Sequence, residues 1–148
     1  MSKENITFHN LHKGIDCDCL KEAKVDAESR FGRKTNKENL RLSDFKSGYE
    51  KGKIIKNKDC EKICGNRGVS LNIINTETRN AAINKFKEFF HLSPGYRPYI
   101  NIISFKEKAG MIKETPRNNN PYHCDFYKSD NFTLEYVEQI ETIPLKDV

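Results

Sequence analysis

The sequence predicts an α+β fold: an N-terminal helical region, then an antiparallel sheet of about four to five strands packed on one amphipathic helix (residues 76–91). Three features carry this expectation. After Gly68, short segments rich in β-branched and aromatic residues recur at 69–74, 99–105 and 122–127. Between the first two, Ala82, Ile83, Phe86, Phe89 and Phe90 follow a helical period. Upstream, Leu20, Ala23, Ala27 and Phe31 also share helical spacing.

Taken in order, residues 1–15 read as a short strand or irregular arm, tacked down by Ile6, Phe8 and Leu11. Asp16 or Asp18 suits an N-cap, because a short carboxylate accepts from free helix N–H groups. The helix it starts runs to about Phe31 and stops at Gly32. Residues 33–39 are polar and basic, so they read as a loop. Ser43 and Asp44 start a short helix carrying Phe45 and Tyr49, and another helical turn falls at 59–64. Residues 69–74 alternate as a strand, and Asn75 or Thr76 caps the Phe-rich helix.

Residues 99–105 are apolar on both faces, which places that strand centrally. Residues 108–110 turn the chain, and 111–113 return as its hairpin partner. Residues 115–121 form a polar loop. In the strand at 122–127, alternation puts Tyr122, Cys124 and Phe126 on one face and His123, Asp125 and Tyr127 on the other. Residues 132–137 alternate as a last strand, the alternative being a helix capped at Asp130 with Phe132, Tyr136 and Ile140 stacked. A chain of 148 residues suits one domain, with a basic, mostly helical or loop part at 1–67 and a sheet-rich part at 68–148. Its aromatic fraction of 10% separates it from disordered chains, which are poor in such residues.

The polar start Met1-Ser2-Lys3-Glu4-Asn5 shows no secretory pattern, and no apolar run is long enough for a membrane span. With five cysteines, an odd number, this points to free thiols and a cytoplasmic location, with no membrane partner.

Charge is unevenly distributed. Between Arg30 and Lys58 lie ten basic residues opposed only by Glu38, Asp44 and Glu50, whereas the tail after Lys128 is acidic. A basic stretch of this kind suits a phosphate backbone, and Arg33, Lys34, Lys37, Lys51, Lys53, Lys56 and Lys58 are the nucleic-acid-binding candidates. Phe31, Phe45 and Tyr49 are interleaved with them as stacking surfaces or as core.

Two further constellations carry chemistry. His123, Arg97 and Asp125 supply a proton-shuttling imidazole and a cation for phosphodiester cleavage, with Tyr96, His91 and Arg117 nearby in sequence. Cys60, Cys64, Cys124 and His123 offer ligands for zinc, with Cys17 and Cys19 as further thiolates, although neither Cys17/Cys19 nor Cys60/Cys64 has the spacing of a zinc ribbon. No nucleotide-binding loop, hydrolase elbow or zincin pattern occurs, and no motif fixes a reaction, cofactor or partner. The expectation is therefore a binding or accessory module for protein or nucleic acid, needing no cofactor, rather than an enzyme. The alternatives are a small metal-independent nuclease of toxin or defence type using His123 and Arg97, and a zinc-stabilised interaction module.

Overall fold

In the computed structural model, which describes residues 6–56, 59–90 and 92–148, six strands form one antiparallel sheet. They are β1 (Arg30–Thr35), β2 (Val69–Ile74), β3 (Tyr99–Phe105), β4 (Gly110–Glu114), β5 (His123–Lys128) and β6 (Val137–Pro144). Their spatial order is β4-β5-β2-β1-β3-β6. Helix α1 (Cys60–Arg67) precedes β2, and α2 (Arg79–Phe89) follows it. The fold is thus mixed α+β, and strands from both parts of the chain share the sheet.

The sheet is strongly curled. β3 and β4 lie four positions apart, a span of about 19 Å in a flat sheet. Every intervening pairing is antiparallel, so β3 and β4 run in the same direction and the connection must also return along the strands. Yet only residues 106–109 join them, and Glu107–Ala109 are wound into a 3-10 turn. Five Cα steps reach roughly 17 Å when fully extended, so the sheet has to roll until its ends meet. The rings confirm this: Phe105 of β3 and Phe126 of β5 stack with centroids 4.1 Å apart, although β1 and β2 lie between their strands. Phe31, Phe45, Leu71, Ile103, Ile112 and Cys124 fill the rest of this concave core. Gly110 opens β4 at φ +156°, where an added Cβ would lie 2.0 Å from the Tyr127 carbonyl oxygen. Only glycine fits this approach.

Two separate elements cover the convex face. Helix α2 lays Ala82, Ile83 and Phe86 over Ile74, Ile100, Ile102 and Leu145. Gly32 of β1 lets the helix close in, because a Cβ there would touch the Phe86 ring at 3.0 Å. At the other end, Phe8, Leu11, Cys19 and Cys64 pack on Tyr127. Helix α1 has only Cys64 buried and is too short to persist on its own. It is held by two disulfides, Cys17–Cys60 and Cys19–Cys64. The N-terminal arm is fastened further by the Asp130 carboxylate, which accepts from Thr7 Oγ1 and the His9 and Asn10 amides at 2.6–2.9 Å. Lys24 then pairs with Ile112 through both of its backbone groups, flanking the outer edge of β4.

Several expectations are corrected. The helix expected from Asp16 or Asp18 to Phe31 does not form. Asp18 and Asp26 instead accept from amides two or three residues on and make local turns. Arg30–Thr35 is a strand, so Phe31 belongs to strand alternation and Gly32 stops no helix. The sheet has six strands rather than four to five. β4 pairs with β5, not with β3, because the short connection carries it around the curl. The helix expected at 76–91 is the shorter α2, with Thr78 at the N-cap position but making no side-chain cap bond. Residues 134–136 form a 3-10 turn, and the last strand starts at Val137. Four of the five cysteines are paired, which removes the basis for expecting free thiols and a reducing compartment. No helix among the described residues is long and apolar enough to cross a membrane.

The two bridges close loops of 43 and 45 residues that largely overlap. Constraining one such loop in the unfolded chain is worth on the order of 4 kcal/mol, and the second adds less. Unreduced protein unfolded in guanidinium should therefore show one reactive thiol, Cys124. Reduction should lower stability in a urea titration by about 4 kcal/mol. A count of five thiols would refute the pairing.

Candidate nucleic-acid interface

The site follows from where strand pairing stops. β1 and β2 are each six residues long, yet their ladder covers only Arg30↔Ile74, Phe31↔Ile73 and Gly32↔Asn72. Beyond Gly32, β1 continues beside β3 and β2 continues beside β5, so the sheet forks. Arg33 spans the fork: its Nε donates to the Asp44 carbonyl (2.9 Å) and its Nη1 to the Ser70 carbonyl on β2 (3.0 Å). A cleft of about 640 Å³ opens here.

Six cations line it, Arg33, Lys34, Arg41, Lys46, Lys51 and Arg117, against a single carboxylate, Asp44. That carboxylate is engaged by the Arg41 amide at 2.8 Å and the Arg41 guanidinium at 3.5 Å. The Arg33 guanidinium is held below its usual value by burial, offset by Asp44. Burial also pulls Lys51 down, reinforced by the charges of Arg33, Lys34 and Lys53. The cations repel one another across the cleft, and an anion would relieve that repulsion. Helix α2 supplies an aromatic wall of Phe86, Phe89 and Phe90. Phe89 is 44% exposed. Lys34 Nζ lies 4.7 Å from the Phe90 ring centre, a cation–π distance.

The opposite wall is the loop between β4 and β5. Paired backbone bonds between Arg117 and Asn120 fold it into a tight turn with Asn118 and Asn119 at the tip. Asn120 Nδ2 donates to Asn72 Oδ1 (2.8 Å), and Asn72 Nδ2 donates to the Ala82 carbonyl (3.0 Å), joining loop, sheet and helix. His123 faces Asn72 across the ladder and forms part of the cleft lining. Its Nδ1 lies 2.8 Å from Thr115 Oγ1 and 3.2 Å from the Thr115 carbonyl. A carbonyl only accepts, so Nδ1 carries the proton and Nε2 is an acceptor. The residue is 4% exposed and Nε2 has no partner. Asp125, on the same face of β5, likewise has a buried, unpartnered Oδ1. Burial, and then the Arg117 charge, push His123 down to about 4. Burial pushes Asp125 up to about 6 against the pull of Thr115, Arg117 and Lys113.

The sequence candidates divide. Arg33, Lys34 and Lys51 line the cleft, Lys37 lies on an adjoining shallow surface with Arg41, and Lys53 and Lys56 are exposed outside it. Lys58 and His91 lie outside the described residues. His123 lines the cleft, and Asp125 shares its face of β5 without lining the cleft. Arg97 is not: it bonds the Tyr96 carbonyl and lines a separate cleft with Tyr99, while Arg117 occupies the position beside His123. The zinc set does not assemble. Cys60 and Cys64 are consumed in disulfides, and Cys124 points into the concave core, away from His123. Among the described residues no group of His, Cys, Asp and Glu is placed to hold a metal ion. Sequence reading missed Arg41, Lys46, Thr115 and the α2 wall, since no local pattern marks residues that meet only through the fork. Comparison with family models, curated proteins and solved structures returns no match.

The two shifted groups act oppositely on stability. His123 stays buried by staying neutral, so its contribution is complete above pH 6.5 and is lost as pH falls through about 4. Asp125 contributes fully below about pH 3.8, and that contribution is lost as pH rises through about 6. Each displacement is worth about 3 kcal/mol, so between pH 6.5 and 4 they nearly cancel. Relative to wild type, Asp125→Asn should lose about 3 kcal/mol on acidification across that range, whereas His123→Gln should gain stability. Urea titrations at several pH values check this, and identical pH dependence in both variants would refute it.

Proposed function

We propose that this domain binds single-stranded nucleic acid in the fork cleft. The observation that supports this reading most is the convergence of six cations, one exposed aromatic ring and several side-chain amides on a single concave site. The cations suit a phosphate chain. Phe89 suits stacking by an unpaired base, which a duplex does not offer because its bases are already stacked inward. The Asn amides suit base edges. A cleft of this volume falls in the range of small-ligand sites, so one or two nucleotides would sit inside while the chain continues along the basic rim. Of the partners the sequence admits, nucleic acid fits better than protein, since lysine is depleted at the centres of protein interfaces.

The cysteine pairing supports a second element of the proposal, that the chain matures in an oxidising compartment. Disulfides persist there and are reduced in the cytosol.

Affinity for a fluorescent single-stranded oligonucleotide should fall steeply with salt. Each phosphate contact contributes about 0.7 to the logarithmic slope. Replacing Lys46, Lys51 and Arg117 together by Gln should reduce that slope by about 2, while Lys53→Gln with Lys56→Gln should leave it unchanged. Phe89→Ala should weaken binding by about 1–3 kcal/mol. A salt-independent affinity, or a slope that responds equally to both sets, would overturn the reading.

A further inference from the structure

His123 forms part of the lining of a strongly cationic cleft, and its Nε2 acceptor is buried without a partner. Leaving such an atom buried and unpaired is costly, so its presence calls for a ligand group that donates to it. The non-bridging oxygens of a phosphodiester cannot donate. A ribose 2′-hydroxyl can, and it lies next to the phosphorus that the cations would hold. Behind the imidazole stands the Thr115 hydroxyl, 2.8 Å from Nδ1. This is the arrangement of a general base oriented by a second group. Arg117 approaches the same imidazole from the cleft wall.

Resting on the reading that the cleft holds single-stranded nucleic acid, we propose that it cleaves RNA, with His123 Nε2 as general base toward the 2′-hydroxyl. Nε2 takes the hydroxyl proton as the 2′-oxygen forms a bond to the adjacent phosphorus. The bond from phosphorus to the 5′-oxygen breaks, and its electron pair leaves with that oxygen, which takes a proton from water. The hydroxide so formed recovers the proton from the imidazolium. The products are a 2′,3′-cyclic phosphate and a 5′-hydroxyl, with no change of oxidation state. Arg117 donates to the phosphorane oxygens, where negative charge builds. Thr115 is a positioning residue: it holds the imidazole in the Nδ1–H tautomer. The neutral imidazole that burial enforces is the form a base requires.

The test uses the full chain with its disulfides intact and a 5′-labelled single-stranded RNA, beside DNA and 2′-O-methyl RNA of the same sequence. Wild type should bind all three and cut only the first, leaving cyclic-phosphate ends. His123→Gln should still bind RNA while kcat falls about 100-fold or more. Thr115→Val should lower kcat with KM unchanged, and Thr115→Ser should restore it, a rescue that a purely structural threonine would not show. RNA bound but uncut between pH 5 and 8, or cut by His123→Gln at the wild-type rate, overturns cleavage and leaves the binding cleft standing. RNA neither bound nor cut overturns both.

Discussion

The connection between β3 and β4 constrains everything else in this molecule. Four residues must carry the chain between strands that lie four positions apart and run the same way, and a flat sheet makes that impossible. Curling solves it and sets the character of the core. Side chains on the concave side converge, so a few large rings fill the interior, and Phe105 and Phe126 meet across two intervening strands. Side chains on the convex side diverge and leave a surface too broad for one short helix. Two covers are needed, α2 at one end and the disulfide-fastened arm at the other.

The same strain opens the cleft. A sheet that bends this far loses part of a ladder, and here the loss falls between β1 and β2 after Gly32 and Asn72. Backbone groups freed by a fork need partners. Arg33 supplies one by donating to the Ser70 carbonyl, and in doing so brings a guanidinium into the middle of the sheet. The remaining cations come from segments that border the fork, and helix α2 adds its aromatic side because Gly32 lets it sit close to β1. The charge of the site is thus a product of the fold and needs no contiguous basic motif.

How much of this was legible in the residues differs along the chain. β3 matches the segment read from its β-branched run, and the faces of β5 follow from simple alternation, which places His123 and Asp125 on one side. These elements are dictated by local pattern. β1 was hidden because Arg-Phe-Gly-Arg-Lys-Thr contains only one large apolar residue; it is a strand because tertiary contacts claim Phe31 on one face and Gly32 on the other. The spurious N-terminal helix came from a real spacing, Leu20 to Phe31, that competing Asx turns and the cysteine bridges override. The bridges had a readable signal. Two residues of extended chain advance about as far as one helical turn, so Cys17 and Cys19 can face Cys60 and Cys64 in step. Thr115 had none, and Arg117 stood out only as one of several nearby cations, because their roles depend on how one loop folds over β2 and β5.

The pairing of Lys24 with Ile112 carries one more consequence. An outermost strand ordinarily presents free amide and carbonyl groups, a template on which a foreign strand can add. Here the arm occupies both groups of Ile112, and it stays there because the cystines anchor it. Cutting those covalent ties would do more than weaken the monomer: it would bare a sticky rim and invite molecules to join edge to edge. The oxidised arm is therefore also a guard against self-association.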